Sequence, residues 1–123
     1  MGSYLNPGNK GFRESLNSQI YVDKSGLIEQ TNAVLDTREK YMCVSRPRRF
    51  GKSMAADMLT AYYEQNQDSE KLFKNLYIEK SPSFLTHLNK YNVLKINVQD
   101  FLSSSSNVDE MLSKFQKYII FDL

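Results

Sequence analysis

Gly51, Lys52 and Ser53 are the residues of this chain whose types and order are best suited to chemistry. An ammonium followed by a hydroxyl, where a loop turns into a helix, is an arrangement that holds phosphate. Backbone N–H groups of the turn point at the phosphate oxygens, and the helix N-terminus adds the positive end of its dipole. The lysine reaches the outer phosphates, and the hydroxyl ligates Mg2+. The usual loop has another glycine five positions before Gly51, where this chain has Arg46. Pro47 fixes its own φ and biases Arg46 toward an extended backbone, which supplies part of the turn that the glycine would ease. Arg48 and Arg49 add positive charge, with no acid between Arg46 and Lys52. For these arginines two readings stand side by side: a solvated basic loop, or contact with a phosphate or a partner.

Such a loop needs a strand before it and a helix after it. Tyr41 to Ser45 reads as a short buried strand, and Pro47 and Gly51 punctuate the stretch beyond it. From Ser53 the pattern becomes helical, with Ala55, Met58, Leu59 and Tyr62 on one stripe. Upstream, Asp23 is placed to cap a helix over residues 24–35, with Leu27, Ile28 and Leu35 as its apolar positions. Downstream, "KLFKNLYI" is a shorter amphipathic piece and "YNVLKINVQDF" is a second strand candidate. Asn107 with Glu110 three residues on predicts a capped helix carrying Val108, Met111, Leu112, Phe115 and Ile119 on one face. Residues 1–11 are turn-rich and read as a flexible leader.

Strands alternating with helices predict an α/β fold with a parallel sheet flanked by helices. Two strands make a poor sheet, so the expectation is the N-terminal portion of a longer P-loop NTPase-type domain spanning residues 1–123. At 123 residues the chain is one domain at most. Its 41% hydrophobic and 24% charged residues suit a globular protein with a core. A net charge of +2 does not by itself imply a nucleic-acid or membrane partner, and no apolar run is long enough for a membrane span. The one cysteine, Cys43, excludes an internal disulfide and suits a reducing, cytoplasmic setting; its place in the strand predicts a buried, inert thiol. His87 is the single histidine and has no second His or Cys near it in sequence, so it reads as a surface residue. Tyr62, Tyr63 and Tyr77 read as core or rim residues, not as a base-stacking platform.

"YVDKSGLI", then about twenty residues, then "SRPRRFGKSMAADML", resembles the predicted AAA-ATPase-like family of bacterial proteins. In that family the Arg-Pro-Arg-Arg-Phe-Gly-Lys-Ser form is the normal loop, so the resemblance removes Arg46 as a defect. "GFRESLNSQIYVDK" and "YNVLKINVQDF" extend the likeness over most of the chain. The resemblance implies a P-loop NTPase fold, often fused to a C-terminal domain similar to restriction-type nucleases. It also draws attention to Tyr21, Asp23 and Lys24, either as a turn and helix cap or as an adenine-side or loop-supporting contact. The family's later acidic strand, which supplies its magnesium carboxylates, has no clear counterpart here. Asp100 ends the second strand candidate, and Asp122 follows the apolar "YIIF", although the helical stripe from Val108 runs straight into it.

The expected function is binding of ATP with Mg2+ through a variant Walker A loop, supporting hydrolysis in the full-length protein. Arg48, Arg49, Phe50, Gly51, Lys52, Ser53 and Met54 are the expected nucleotide contacts. Lys52 is the catalytic cation and Ser53 the metal ligand; Phe50 suits a packing anchor for the loop better than an adenine stacker. The rival is a nucleic-acid-binding module in which the basic loop tracks a phosphodiester backbone without nucleotide turnover. A homo-oligomer is a further expectation, from the sheet edge left without its remaining strands.

Overall fold

The computed structural model describes residues 4–44, 52–65, 67–97 and 106–122. Five α-helices are formed among them: α1 (Lys10–Leu16), α2 (Gly26–Val34), α3 (Lys52–Tyr63), α4 (Phe84–His87) and α5 (Val108–Asp122). Two 3-10 turns, Glu70–Phe73 and Tyr77–Lys80, join α3 to α4.

Helix α3 is the central element. Its apolar spacing places Met58, Ala61 and Tyr62 in the core, where each is at most 2% exposed. Phe12 comes to them from α1, Ile28 from α2, Phe73 and Ile78 from the two 3-10 turns, and Phe84 from α4. Four rings meet at the centre. Phe73 stacks on Phe12 at 4.9 Å, and it meets Tyr62 at 5.7 Å and Phe84 at 6.0 Å edge to face. These are favourable arrangements for ring quadrupoles.

The expected parallel sheet is not present: no strand is formed among the described residues, and backbone pairing between distant segments is limited to two isolated bridges, Leu5 with Leu94 and Glu64 with Tyr91. The reason lies in the missing ladder partners. Tyr41, Met42 and Val44 are apolar enough for a strand, yet Met42 and Val44 are close to half exposed and Tyr41 is 85% exposed. A short apolar run has β-propensity only where other strands pack beside it. Cys43 is accordingly exposed, not buried. The second candidate, residues 91–97, is used as a clamp. Its backbone bonds run to the chain start on one side (Asn6 N–H to the Val93 carbonyl, 2.7 Å; Lys95 N–H to the Tyr4 carbonyl, 2.9 Å). On the other side they run to the end of α3 (Tyr91 N–H to the Tyr63 carbonyl, 2.8 Å; Gln65 N–H to the Tyr91 carbonyl, 2.7 Å).

The end of α3 is closed by one side chain. Asn89 sits at φ +53°, a left-handed conformation that asparagine tolerates. Its N–H bonds the Tyr62 carbonyl at 2.7 Å, and its Nδ2 donates to the carbonyls of Ala61 (3.2 Å) and Glu64 (2.8 Å). These are the carbonyls that a helix end leaves without intrahelical partners. Helix α5 begins as expected: the Glu110 N–H bonds Asn107 Oδ1 at 2.8 Å. The return bond runs from the Ser106 N–H to Glu110 Oε2 (3.0 Å), one residue earlier than a standard capping box. With the Ser106 hydroxyl and N–H and Lys114 beside it, the Glu110 carboxyl is held down at about 2. Because α5 runs through Asp122, that residue ends a helix and not a strand.

Candidate functional site

The described part of helix α3 begins at Lys52. Arg46, Pro47, Arg48, Arg49, Phe50 and Gly51 lie outside the described residues, as does Asp100. Ser53 and Met54 lie in the first turn of α3 and are exposed. That turn contains no acidic residue. A helix start normally draws Asp or Glu, because its free N–H groups carry partial positive charge. Here a lysine stands at that end and nothing in the first turn neutralises it. Alanines at positions 55, 56 and 61, with Met58 and Leu59, are good helix formers, so the helix does not depend on an N-terminal acid.

One turn beyond Ser53, Asp57 accepts a short ion-paired hydrogen bond from Lys95 Nζ, with both side chains partly exposed. Asp57 also rests on α1. A Cβ built on Gly11 would lie 2.8 Å from Asp57 Oδ2 and 2.9 Å from its Cγ, so only glycine lets the two helices approach this closely. The pair joins three segments: α1, α3 and residues 91–97. Gly11→Ala is therefore expected to push the Asp57 carboxylate off Lys95 and to cost about 1–3 kcal/mol of stability. Urea denaturation of the variant checks this, and an unchanged midpoint would show that Asp57 relocates freely. Sequence reading missed the pair because Asp57 and Lys95 are 38 positions apart, and their juxtaposition depends on how residues 91–97 run along α3.

The Tyr21, Asp23 and Lys24 segment resolves into structure. Asp23 Oδ1 accepts the Ser25 N–H (2.8 Å) and Oδ2 accepts the Tyr77 N–H (2.8 Å). The buried Ser25 hydroxyl accepts the Ile78 N–H at 3.1 Å. Ser25, and not Asp23, occupies the cap position of α2. Together Asp23 and Ser25 fasten the Tyr77–Lys80 turn to the start of α2, while Tyr21 meets Phe12 edge to face at 6.3 Å. Burial opposes ionisation of Asp23, but the Ser25 hydroxyl and the two N–H groups outweigh it, so its carboxyl lies below the usual value. The resulting stabilisation is whole above the ordinary carboxylate value and is lost as pH falls through the lowered one. Asp23→Asn is expected to lose about 0.5–1 kcal/mol near neutrality, discounted because the group is solvent-exposed. A series of urea midpoints taken downward in pH should be flatter for the variant than for the wild type.

Tyr62 and Tyr63 are structural. The Tyr62 hydroxyl donates to the Phe84 carbonyl at 2.6 Å and accepts from Asn32 Nδ2 at 3.1 Å; Tyr63 donates to Asn32 Oδ1 at 2.6 Å. Burial raises both phenols, Tyr63 to about 12 against the opposing Thr31 hydrogen bond, so both stay protonated at ordinary pH. Tyr77 is exposed. His87 is half-buried, stacked on Tyr91 and bonded to its hydroxyl through Nδ1 at 2.7 Å. Among the described residues no group of three or more His, Cys, Asp or Glu is placed to hold a metal ion, and no helix is long and apolar enough to cross a membrane.

The arrangement is thus a small helical unit whose central helix is tied down at its C-terminal end and contains Lys52 and Ser53 in its first described turn. The sequence profile of the AAA-ATPase-like family, described as "Predicted AAA-ATPase", matches residues 9–121. The chain belongs to that family. No curated protein and no solved structure shows significant similarity to it.

Proposed function

We propose that this chain binds ATP with Mg2+ through residues 48–54, and that this binding supports ATP hydrolysis. The observation that carries this reading is that α3 is helical from Lys52 on, with no acid in its first described turn. A cation there opposes the helix dipole by about 0.3–1 kcal/mol, a cost that a bound polyanion reverses. Ser53, exposed in the same turn, offers the hydroxyl that a phosphate-bound Mg2+ takes. Family membership supports the same reading at the level of the predicted ATPase class.

In this assignment the Gly51 backbone approaches the phosphates, Lys52 neutralises charge on the outer phosphate oxygens, and Arg48 and Arg49 raise the local positive potential. Calorimetric titration of the chain with ATP, with and without Mg2+, tests the proposal. Saturable binding that Mg2+ strengthens and Lys52→Ala weakens is the expected result. No binding by the wild type, or equal binding by the variant, would refute it.

A further inference from the structure

Glu64, the residue after the last turn of α3, is fully buried, at 0% exposure. Its Oε2 accepts the Gly8 N–H at 2.7 Å, and its Oε1 has no hydrogen-bond partner among the described residues. None of the ion pairs among the described residues includes Glu64: these are Lys10 with Glu14, Lys95 with Asp57 and Lys114 with Glu110. The described segments packed around it present neutral side chains, and the charge that acts on it is the ammonium of the chain's N-terminus. Gly8 and Asn9 come from the chain start, Ser69 from the turn after α3, and Asn89 and Tyr91 from residues 89–92. The charged neighbours in those segments, Asp68, Glu70 and Lys90, are exposed and point to solvent.

We propose that Glu64 is a proton-operated latch for the start of the chain: with its carboxyl neutral, residues 4–9 stay docked across the end of α3, and ionisation releases them. A buried carboxylate with one N–H donor and no side-chain ion pair is far costlier than the neutral acid. The docked segment is what buries it. Gly8 supplies the single donor and does so at φ +103°, a conformation that aims its N–H at Glu64 and that L side chains rarely adopt. Other bonds of the segment join neutral groups: Asn6 Nδ2 to Asn92 Oδ1 (3.0 Å), the Val93 N–H to Asn6 Oδ1 (2.7 Å), Asn9 Nδ2 to the buried Ser69 Oγ (3.3 Å), and the backbone bonds of Asn6 to Val93 and of Lys95 to Tyr4. Lifting the segment therefore hydrates Glu64 at the expense of a few neutral hydrogen bonds that water replaces.

Burial raises the Glu64 carboxyl above its ordinary value, against the Gly8 N–H and the positive charge of the chain's N-terminus, which both lower it. Docking is then strongest below the ordinary glutamate value and is lost as pH rises through the raised one. The consequence reaches further than the segment itself. Asn9 leads directly into α1, whose Gly11 abuts Asp57 on α3, the helix that carries Lys52.

The test is nuclear magnetic resonance on the whole chain. Glu64 is titrated through its carboxyl carbon, and exchange of the Gly8 amide, corrected for its intrinsic rate, is followed against pH. The Glu64 midpoint should lie above that of exposed glutamates. Between the ordinary glutamate value and that midpoint Gly8 protection should fall by up to about tenfold per pH unit in the wild type and level off above it, and it should stay level throughout in Glu64→Gln. The Ala61 amide in α3 serves as the control for global opening. A Glu64 midpoint at or below the ordinary value, or loss of Gly8 protection in step with Ala61, would overturn the proposal. The wild-type titration decides the matter even where Glu64→Gln fails to fold.

Discussion

Phe73→Ala is expected to lower the unfolding free energy by about 3–5 kcal/mol, the largest single-site loss in the molecule. Phe73 is 0% exposed and belongs to no long element; it sits in the 3-10 turn that follows α3. Its ring fills the space where α1, α3 and α4 converge, stacked on Phe12 and set edge to face against Tyr62 and Phe84. Truncation removes the transfer energy of the ring and its packing against three aromatic neighbours at once. The surrounding structure has little scope to collapse, because Tyr62 is pinned by hydrogen bonds to Phe84 and Asn32. Phe73→Leu keeps most of the volume and should cost about 1–2 kcal/mol. In urea, with an m-value of about 1–3 kcal/mol/M, the alanine variant should shift the midpoint down by roughly 1 M or more. Most small domains have only about 5–15 kcal/mol to lose. A shift no larger for alanine than for leucine would show that the ring space is closed by rearrangement.

Phe73 also marks how far this fold can be read from sequence. The two long apolar stripes, over α3 and α5, are legible because their period repeats for three turns or more. Helix α1 is not, since Lys10–Leu16 contains only Phe12 and Leu16 as large apolar residues and comes after the turn-forming Asn6-Pro7-Gly8-Asn9. Helix α4 is four residues long and comes just after Pro82, so punctuation hides it. The strand readings failed for a different reason. Tyr41–Ser45 and residues 91–101 have strand-like composition, but a sheet is a property of several segments together. The lateral pairing that residues 91–97 do find is with the chain start and the end of α3. At the candidate site the sequence carries the chemistry, and the structure adds that Lys52 and Ser53 are helical. The roles of Asp57 and Glu64 were illegible because each depends on a partner far along the chain, Lys95 and Gly8 respectively. Asp23 was half legible: its hydrogen bonding to backbone N–H groups follows from its type, whereas its hold on Tyr77 does not.

Lys52→Ala is expected to weaken ATP binding by about ten- to a hundredfold while leaving the fold intact. The lower figure corresponds to about 1.5 kcal/mol and the upper to about 3 kcal/mol, the range for hydrogen bonds to charged groups. Stability should move the other way or not at all. Alanine is the best helix former, and removing a cation from the start of α3 relieves its unfavourable interaction with the dipole. This opposition is what makes the experiment decisive: a structural lysine would lose stability and binding together, and a phosphate lysine loses binding alone. Ser53→Ala should remove chiefly the part of the affinity that Mg2+ adds, since the hydroxyl is the assigned metal ligand. Arg48 and Arg49 separate the rival reading. Were the loop built for a nucleic-acid backbone, replacing either arginine would shallow the log–log salt slope of duplex binding by about 0.9 for each phosphate no longer neutralised, and ATP with Mg2+ would not compete. Competition by ATP that vanishes in Lys52→Ala places both ligands on the same loop. Salt-steep duplex binding untouched by that substitution separates them.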